Sequence, residues 1–460
     1  MGKTKALPLG VEPRQGAVAV GIGLVGAAAF PPLTLWPLSL VAIALLLLLL
    51  KDKDTLTARN LGLVFGLTYA LGTMYWFFAL FGLFAVPMIG LMAGYFGLLA
   101  TLIAMTRDYR PILRAALVAA FAVGIEWIRG DAWYLRFPWY TPVHALAAEP
   151  WSIAPVRWFG TYGFSYLLWL FAAAGAYVHP GCWVGFLLIP VGIGATLEIE
   201  TADRRVLLVQ AEEVVEEVIP RVPPQAVDLA VLPEYAYFRS PKGALTSPSG
   251  PATLAKRLSC PVVFGAVEGD YDSPKFFNVA AVIDADAKLI GTFPKQHPVP
   301  LMRDGKPGEQ RPVFALPQGV LGVAICYDFD APEVAASLVR AGATVLVAPT
   351  FDSMDWTAIQ HVHHELLARL RAVENDRWLL RCASSGRSEV IDPHGVPSTQ
   401  GIGIGETGYI TLRFAHRNTF ALGGRLWFLG PVAGAVTVLY ALIGIAQFLR
   451  KRRARKVASA

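Results

Sequence analysis

A cysteine closes an apolar run at Leu321-Gly322-Val323-Ala324-Ile325-Cys326, and helix-starting residues follow at Asp330-Ala331-Pro332-Glu333. Strand ends beside helix starts are where α/β folds present reactive groups. A thiol there can be held as thiolate by a nearby positive charge or helix N-terminus. Two upstream strand ends carry complementary groups: Glu234 after Val231-Leu232-Pro233, and Lys295 after Phe293-Pro294. A thiol nucleophile needs a base for its proton and a cation for the oxyanion formed when it attacks a carbonyl. Glu234 suits the first role, because burial raises a carboxyl toward the working range, and Lys295 suits the second. Each signal alone has a plain structural reading: a helix N-terminal Glu, a solvated Lys, a core Cys. The weight comes from the three together, in this order, within one block of chain.

Other reactive side chains are read as structural. Cys182, Cys260 and Cys382 are widely spaced, match no disulfide framework, and are taken as small core or membrane residues. His361, His363, His364 and Glu365 cluster on a helical pattern but lack the His-Glu-x-x-His order that sets two ligands and a base, so no metal is expected. No phosphate-binding loop appears, and no cofactor is expected.

The elements that must position the three residues lie in 203–415. Short apolar strands are predicted at Val206–Val209, Leu229–Leu232, Val262–Gly265, Val279–Ile283, Leu321–Ile325, Val345–Ala348, Trp378–Cys382 and Tyr409–Leu412. Helical patterns lie between some of them, clearest at Trp356–Asn375. The block is long enough for a self-contained α/β domain.

The rest of the chain has a different texture. Of 460 residues, 55% are hydrophobic and 16% charged, with mean hydropathy +0.48, which points to a membrane protein. Apolar segments at about 16–34, 36–50, 59–79, 83–105, 112–129, 161–178, 181–197 and 426–448 suggest about eight spans. The net charge of +6 sits largely at the ends and in short loops, so nucleic acid is not an expected partner. With eight spans, the basic N-terminus (Lys3, Lys5, Arg14), the Lys51–Arg59 and Thr106–Arg114 loops and the tail from Arg450 fall on one side, the cytoplasm by the positive-inside rule. The α/β block then lies on the opposite, periplasmic or extracytoplasmic, face. The first apolar run has signal-peptide features, but more spans follow at once, and it is read as an uncleaved anchor. The expected domains are a membrane domain at 1–202, a catalytic domain at 203–415, and a last span with a basic tail at 416–460. Glu126 and Arg129, at a membrane boundary, are read as pairing or snorkelling. Phe137, Trp139 and Trp151 are read as an interfacial belt.

Longer motifs carry a resemblance. Phe277-Asn278-Val279-Ala280 and Lys295-Gln296-His297-Pro298 resemble nitrilase-superfamily text around the catalytic Glu and Lys. Glu126-Trp127-Ile128-Arg129-Gly130, Arg136-Phe137-Pro138-Trp139, Gly160-Thr161-Tyr162-Gly163 and Phe30-Pro31-Pro32 lie in the membrane part. Together with Ala368-Arg369-Leu370-Arg371-Ala372-Val373-Glu374 and Val390-Ile391-Asp392-Pro393-His394-Gly395, they make the whole chain resemble the apolipoprotein N-acyltransferase family. The resemblance implies a polytopic α-helical membrane domain plus an extracytoplasmic nitrilase-like α/β domain of four layers, α-β-β-α. It implies acyl transfer from a membrane phospholipid, through a Cys326 thioester, to the α-amine of a diacylated apolipoprotein's N-terminal cysteine. The catalytic residues would be Glu234, Lys295 and Cys326, in a monomer.

The chain departs from the family at informative places. The family's acidic residue eight positions past the lysine is Arg303 here, leaving Asp304 or Glu309 to replace it. Glu309 is preferred because it precedes the strand signal Pro312-Val313-Phe314. The family's Cys-Tyr-Glu is Cys326-Tyr327-Asp328, with Tyr327 and Asp328 expected to support the nucleophile. Tyr235, Tyr237, Phe238, Leu301, Met302, Met354 and Trp356 either line the acyl entrance or pack their loops. The nearest alternative is a membrane-anchored amide hydrolase with the same triad. A transporter or silent scaffold is disfavoured, because no run of charged residues lines the spans.

Overall fold

Two mixed β-sheets hold the predicted reactive residues. The computed structural model describes residues 11–188, 201–212, 214–317 and 319–458. The chain divides into two units: Met1–Ala148 with Tyr162–Gly192 and Phe428–Ala460, and Glu149–Thr161 with Ile193–Trp427. Two segments thus depart from the expected boundaries. Glu149–Thr161 joins the α/β unit, where Arg157 pairs with Asp376 and Arg371 donates to Thr161 Oγ1. Residues 416–427 also belong to that unit. A break in helical geometry at Gly160 (φ 67, ψ 170) interrupts the helix Val156–Tyr177 next to the boundary.

In the α/β unit the strands are β1 (Arg204–Gln210), β2 (Leu229–Val231), β3 (Val262–Glu268), β4 (Phe277–Ile283), β5 (Leu289–Pro294), β6 (Phe314–Leu316), β7 (Gly319–Val323), β8 (Val345–Thr350), β9 (Leu379–Ala383), β10 (Glu389–Ile391) and β11 (Gly408–Phe414). One sheet has the order β11-β1-β2-β3-β4-β5, the other β10-β9-β8-β7-β6. Each has a parallel centre and antiparallel edges. Alternation along β1 shows the layering. Val206 and Leu208 join a core with β7, β8 and β9, whereas Leu207 and Val209 face Val215, Val218, Leu254 and Leu258 of two helices. Helices Pro332–Arg340 and Ala358–Asn375 pack on the other sheet through Val334, Leu338, Ala368 and Ala372. The result is the expected helix–sheet–sheet–helix sandwich. Thr357 caps the Ala358–Asn375 helix, its hydroxyl accepting from the Gln360 N–H.

Strand direction puts the reactive residues at strand ends. β2 and β3 run parallel, and two antiparallel steps through β4 return β5 to the same direction. Glu234 and Lys295 therefore leave one sheet at the same end. In the other sheet, parallel β7 and β8 deliver Cys326 and Phe351 just past their C-terminal ends.

The other unit is helical. Among the described residues three helices are long and apolar enough to cross a membrane: Phe77–Met105, Pro111–Gly130 and Leu422–Ala454. The apolar helix Pro37–Leu50 is shorter. The predicted count of about eight is therefore not reached by length and composition. The seventh predicted span runs beyond Leu188, outside the described residues, as do Lys3 and Lys5. Neither Glu126 nor Arg129 snorkels; both are buried. Glu126 accepts from Ser165 Oγ at 2.6 Å and Trp169 Nε1 at 3.2 Å, while Arg129 donates to the Phe137 carbonyl at 2.7 Å. Trp139 is buried against Trp76 and Phe137, so it is not part of an exposed belt, whereas Trp151 is exposed.

Candidate active site

Glu234, Lys295 and Cys326 are all buried, at 2%, 1% and 4% exposure, so the site is nearly dry. Lys295 Nζ lies 2.8 Å from Glu234 Oε1 and 2.6 Å from Asp304 Oδ2. Asn278, on β4, donates one amide to both carboxylates, at 2.6 Å to Glu234 and 2.8 Å to Asp304. The Tyr235 hydroxyl and the Val299 N–H complete the Asp304 shell, each at 2.8 Å. The Phe351 peptide joins this cluster to the thiol. Its N–H donates to Glu234 Oε2 at 2.7 Å, and its carbonyl accepts from the Cys326 thiol at 3.8 Å.

Unusual backbone marks the same places. Cys326 (φ 50), Tyr235 (φ 54) and Leu301 (φ 66) occupy the left-handed region without being glycine. Cys326 also opens a short 3₁₀ turn, Cys326–Asp330. Such conformations cost about 1–3 kcal/mol and persist where surrounding contacts enforce them. Asp328 supplies part of that enforcement. Its carboxylate accepts from the N–H groups of Gln296 (3.0 Å), His297 (2.7 Å) and Ile325 (3.1 Å), tying the lysine loop to the residue before the nucleophile.

The electrostatics bears on how the thiol is activated. Burial, then the charge of Glu234, pushes the Cys326 thiol well above its ordinary value, and Lys295 only partly offsets this. Burial and Glu234 thus favour the protonated thiol, and removing its proton needs a base. Burial also raises the Glu234 carboxyl; Lys295 opposes the shift and Asp304 adds to it. Burial works against the Lys295 ammonium, but Asp304 and Glu234 outweigh it and hold the amine well above its ordinary value. The cluster thus contains a fixed cation, a proton-accepting carboxylate and a thiol that ionises when its proton is taken. Burial pushes Asp328 up to about 7, with Lys295 opposing it.

Residues 22–174 match the family described as apolipoprotein N-acyltransferase N-terminal domain, and 194–413 match carbon-nitrogen hydrolase. The apolipoprotein N-acyltransferase of Gloeobacter violaceus is 27% identical over 454 residues, covering 82% of this chain and 84% of that one. That of Pseudomonas paraeruginosa is 28% identical over 513 residues, covering 93% and 95%. The chain is similar to apolipoprotein N-acyltransferases over most of its length. Among solved structures, Saccharomyces cerevisiae Nit3, of the nitrilase superfamily, is similar with TM-score 0.38 and 25% identity over 48% of this chain and 93% of that one.

Against the pattern of apolipoprotein N-acyltransferases, the carboxylate beside the lysine is Asp304. Glu309, preferred from sequence, is exposed. Arg303 points its guanidinium over the Tyr271 ring at 4.6 Å and contacts Asp272 at 3.4 Å. A one-residue offset therefore restores the acid that Arg303 displaces. Tyr237 is another correction. It is buried in the core between sheet and helices, edge-on to Phe264, and does not line the site. Tyr235 stays at the site with its hydroxyl on Asp304. Tyr327 is buried in the core between the sheets. Around the thiol runs an aromatic chain: Phe238 stacked on Tyr235 at 5.3 Å, then Phe351 and Trp356 at 5.9 Å each. Met302 is half-buried, and Phe238, Leu301 and Met354 are exposed. The sequence reading missed Asn278 as a site residue, although an asparagine inside the otherwise apolar run Phe277–Ile283 is itself a signal. It also missed Phe351, which acts through its backbone and leaves no side-chain signature. Cys260 and Cys382 are buried with thiols pushed up to about 12, chiefly by burial, as suits inert core cysteines; Cys182 is half-buried.

Proposed function

We propose that this acyltransferase moves an acyl chain from a membrane phospholipid, through a thioester on Cys326, to the α-amine of the N-terminal S-diacylglyceryl cysteine of apolipoproteins. The observation that carries the reading is one chain joining a buried Glu234–Lys295–Asp304 cluster beside Cys326 to an N-terminal part that matches the N-acyltransferase membrane domain. In the first step Glu234 takes the Cys326 proton as sulfur attacks the ester carbonyl. Lys295 stabilises the tetrahedral oxyanion. The ester C–O bond breaks, Glu234 returns the proton to the departing alkoxide, and lysophospholipid leaves. In the second step the acceptor amine attacks the thioester carbonyl and gives a proton to Glu234. The C–S bond breaks, and sulfur regains that proton. Burial of all three groups keeps water from the thioester. Phe238, Leu301, Met302, Met354 and Trp356 offer an apolar approach for the acyl chain. The catalytic unit lies on the extracytoplasmic face and acts as a monomer.

The test uses full-length protein in detergent with acyl-labelled phosphatidylethanolamine and a diacylated lipopeptide. The expected product is N-acylated lipopeptide, with a labelled acyl-enzyme trapped when lipopeptide is omitted. Cys326→Ala abolishes the trapped species. Label on another residue overturns the scheme. Release of free fatty acid with no N-acyl lipopeptide makes the protein a hydrolase instead.

A further inference from the structure

Beyond the cluster lies a second buried charged network, built around the residue after Phe351. Asp352 is 0% exposed. Its carboxylate contacts Arg381 through Oδ2 and lies 3.0 Å from His364 Nδ1 through Oδ1. Its backbone is clamped as well: the Asp352 N–H donates to Ser384 Oγ at 3.0 Å, and that hydroxyl donates to the Asp352 carbonyl at 2.9 Å. Arg381 in turn donates to the Arg387 carbonyl. Burial opposes ionisation of Asp352, but Arg381 and then His364 pull its carboxyl below the usual range. The network therefore holds a fixed charge pair that two separate elements, β9 and the Ala358–Asn375 helix, fasten in place.

Two features connect it to the chemistry. The backbone of Phe351, covalently joined to Asp352, touches Glu234 through its N–H and Cys326 through its carbonyl. A shift of Asp352 therefore moves base and nucleophile relative to each other. Second, a void of about 10 Å³ is lined by Cys326, Thr350, Asp330, His364 and Arg381, so the network also forms the wall behind the nucleophile. A gap of that size, about one water molecule or less, leaves the wall little slack. Gly386 shows how tightly the site is built. A Cβ added there would sit 2.1 Å from Asp352 Oδ2.

We infer that Asp352, clamped by Arg381, His364 and Ser384, is a positioning residue that aligns Glu234 with Cys326 through the Phe351 peptide. The inference rests on the proposed role of Cys326 as nucleophile. Misplacing a reacting pair by about 1 Å costs up to about 100-fold in rate.

Gly386→Ala is the sharpest test, since it displaces the Asp352 carboxylate without removing a charge or hydrogen-bonding group. Single-turnover acylation of Cys326 by labelled phosphatidylethanolamine is measured on full-length protein, together with alkylation by iodoacetamide. The expected result is a rate constant lowered about 10- to 100-fold, with the apparent KM for lipid and the burst amplitude near wild type. Alkylation slows in parallel. A purely structural role would instead lower the amplitude and leave the rate constant, as expected for the core control Leu254→Ala. Ser384→Ala, which loosens the same clamp without a clash, replaces Gly386→Ala if that variant does not fold; its expected effect is smaller, about 10-fold. Wild-type rate constants in the variants overturn the inference. Failure of wild type to acylate Cys326 overturns the functional reading instead, and the alkylation arm still decides whether Asp352 aligns the thiol with its base.

Discussion

Lys295 is a buried cation between two carboxylates, and that arrangement decides which group receives the thiol's proton. Asp304 is held by Tyr235, Asn278, the Val299 N–H and Lys295. Glu234 is the carboxyl pushed upward, and it shares the Phe351 peptide with Cys326. Glu234→Gln preserves much of the packing but accepts no proton. It is expected to slow acyl-enzyme formation by about 10²- to 10⁴-fold, read from the rate of label incorporation. The pH profile follows with its sign. Glu234 must be unprotonated to act, so the rate falls as pH drops through its raised pKa, at a pH above the ordinary carboxylate value of 4.5. Asp304 contributes to that rise, so Asp304→Asn moves the acid limb to lower pH while reducing the maximal rate, because Lys295 loses one counter-ion. A limb that moves to higher pH would contradict this electrostatic account. Glu309→Gln, altering an exposed side chain, is expected to leave rate and pH profile unchanged. A large loss there would return the missing family carboxylate to Glu309.

At the scale of elements, the site depends on how closely β3 lets the Glu234 turn approach. A Cβ on Gly265 would lie 2.4 Å from the Tyr235 nitrogen and 2.6 Å from the Glu234 Cα, both backbone atoms with no flexible end to swing away. Gly265→Ala must therefore shift the turn. It is expected to cost about 1–3 kcal/mol of stability, seen as a lower melting temperature, and to slow Cys326 acylation because Glu234 moves with its backbone. Unchanged melting and acylation would mean that the turn relaxes freely. The same geometry explains what could be read in advance. Strands β1, β3, β4 and β8 were legible because their apolar runs are rich in β-branched residues and almost wholly buried. The three-residue β6 and β10 were not read as strands, nor was β5, which carries Gly291 and Pro294. The order Glu234, Lys295, Cys326 was readable because strand ends carry it. The left-handed turn at Tyr235 was not, and it separates two tyrosines that look equivalent on paper: Tyr235 reaches Asp304, and Tyr237 enters the core beside Phe264. The charge balance around the thiol was not legible for a related reason. Sequence shows a lysine near a cysteine in the fold, but not that two carboxylates already engage that lysine.

For the whole molecule, the side of the membrane on which acyl transfer occurs turns on one helix. The number of crossings before residue 201 affects where the N-terminus lies. It does not affect the relation between the α/β block and the C-terminal tail, because a single candidate span, Leu422–Ala454, follows the block in sequence. If that helix crosses, the block and the tail end on opposite faces. The tail is Arg450-Lys451-Arg452-Arg453-Ala454-Arg455-Lys456, and by the positive-inside rule so dense a basic cluster beside an apolar helix is expected on the cytoplasmic side. The block is then expected to face outward, on the side proposed for both lipid and lipoprotein substrates. The test introduces single cysteines at exposed positions, Asp286→Cys in the block and Arg452→Cys in the tail, in a background of Cys326→Ser and Cys182→Ser. In intact spheroplasts a membrane-impermeant maleimide is expected to label Asp286→Cys at once, and Arg452→Cys after permeabilisation. The reverse pattern would place the chemistry in the cytoplasm. Equal labelling of both without permeabilisation would mean that the last helix does not cross, which would remove the reason for acyl transfer to occur on the outer face.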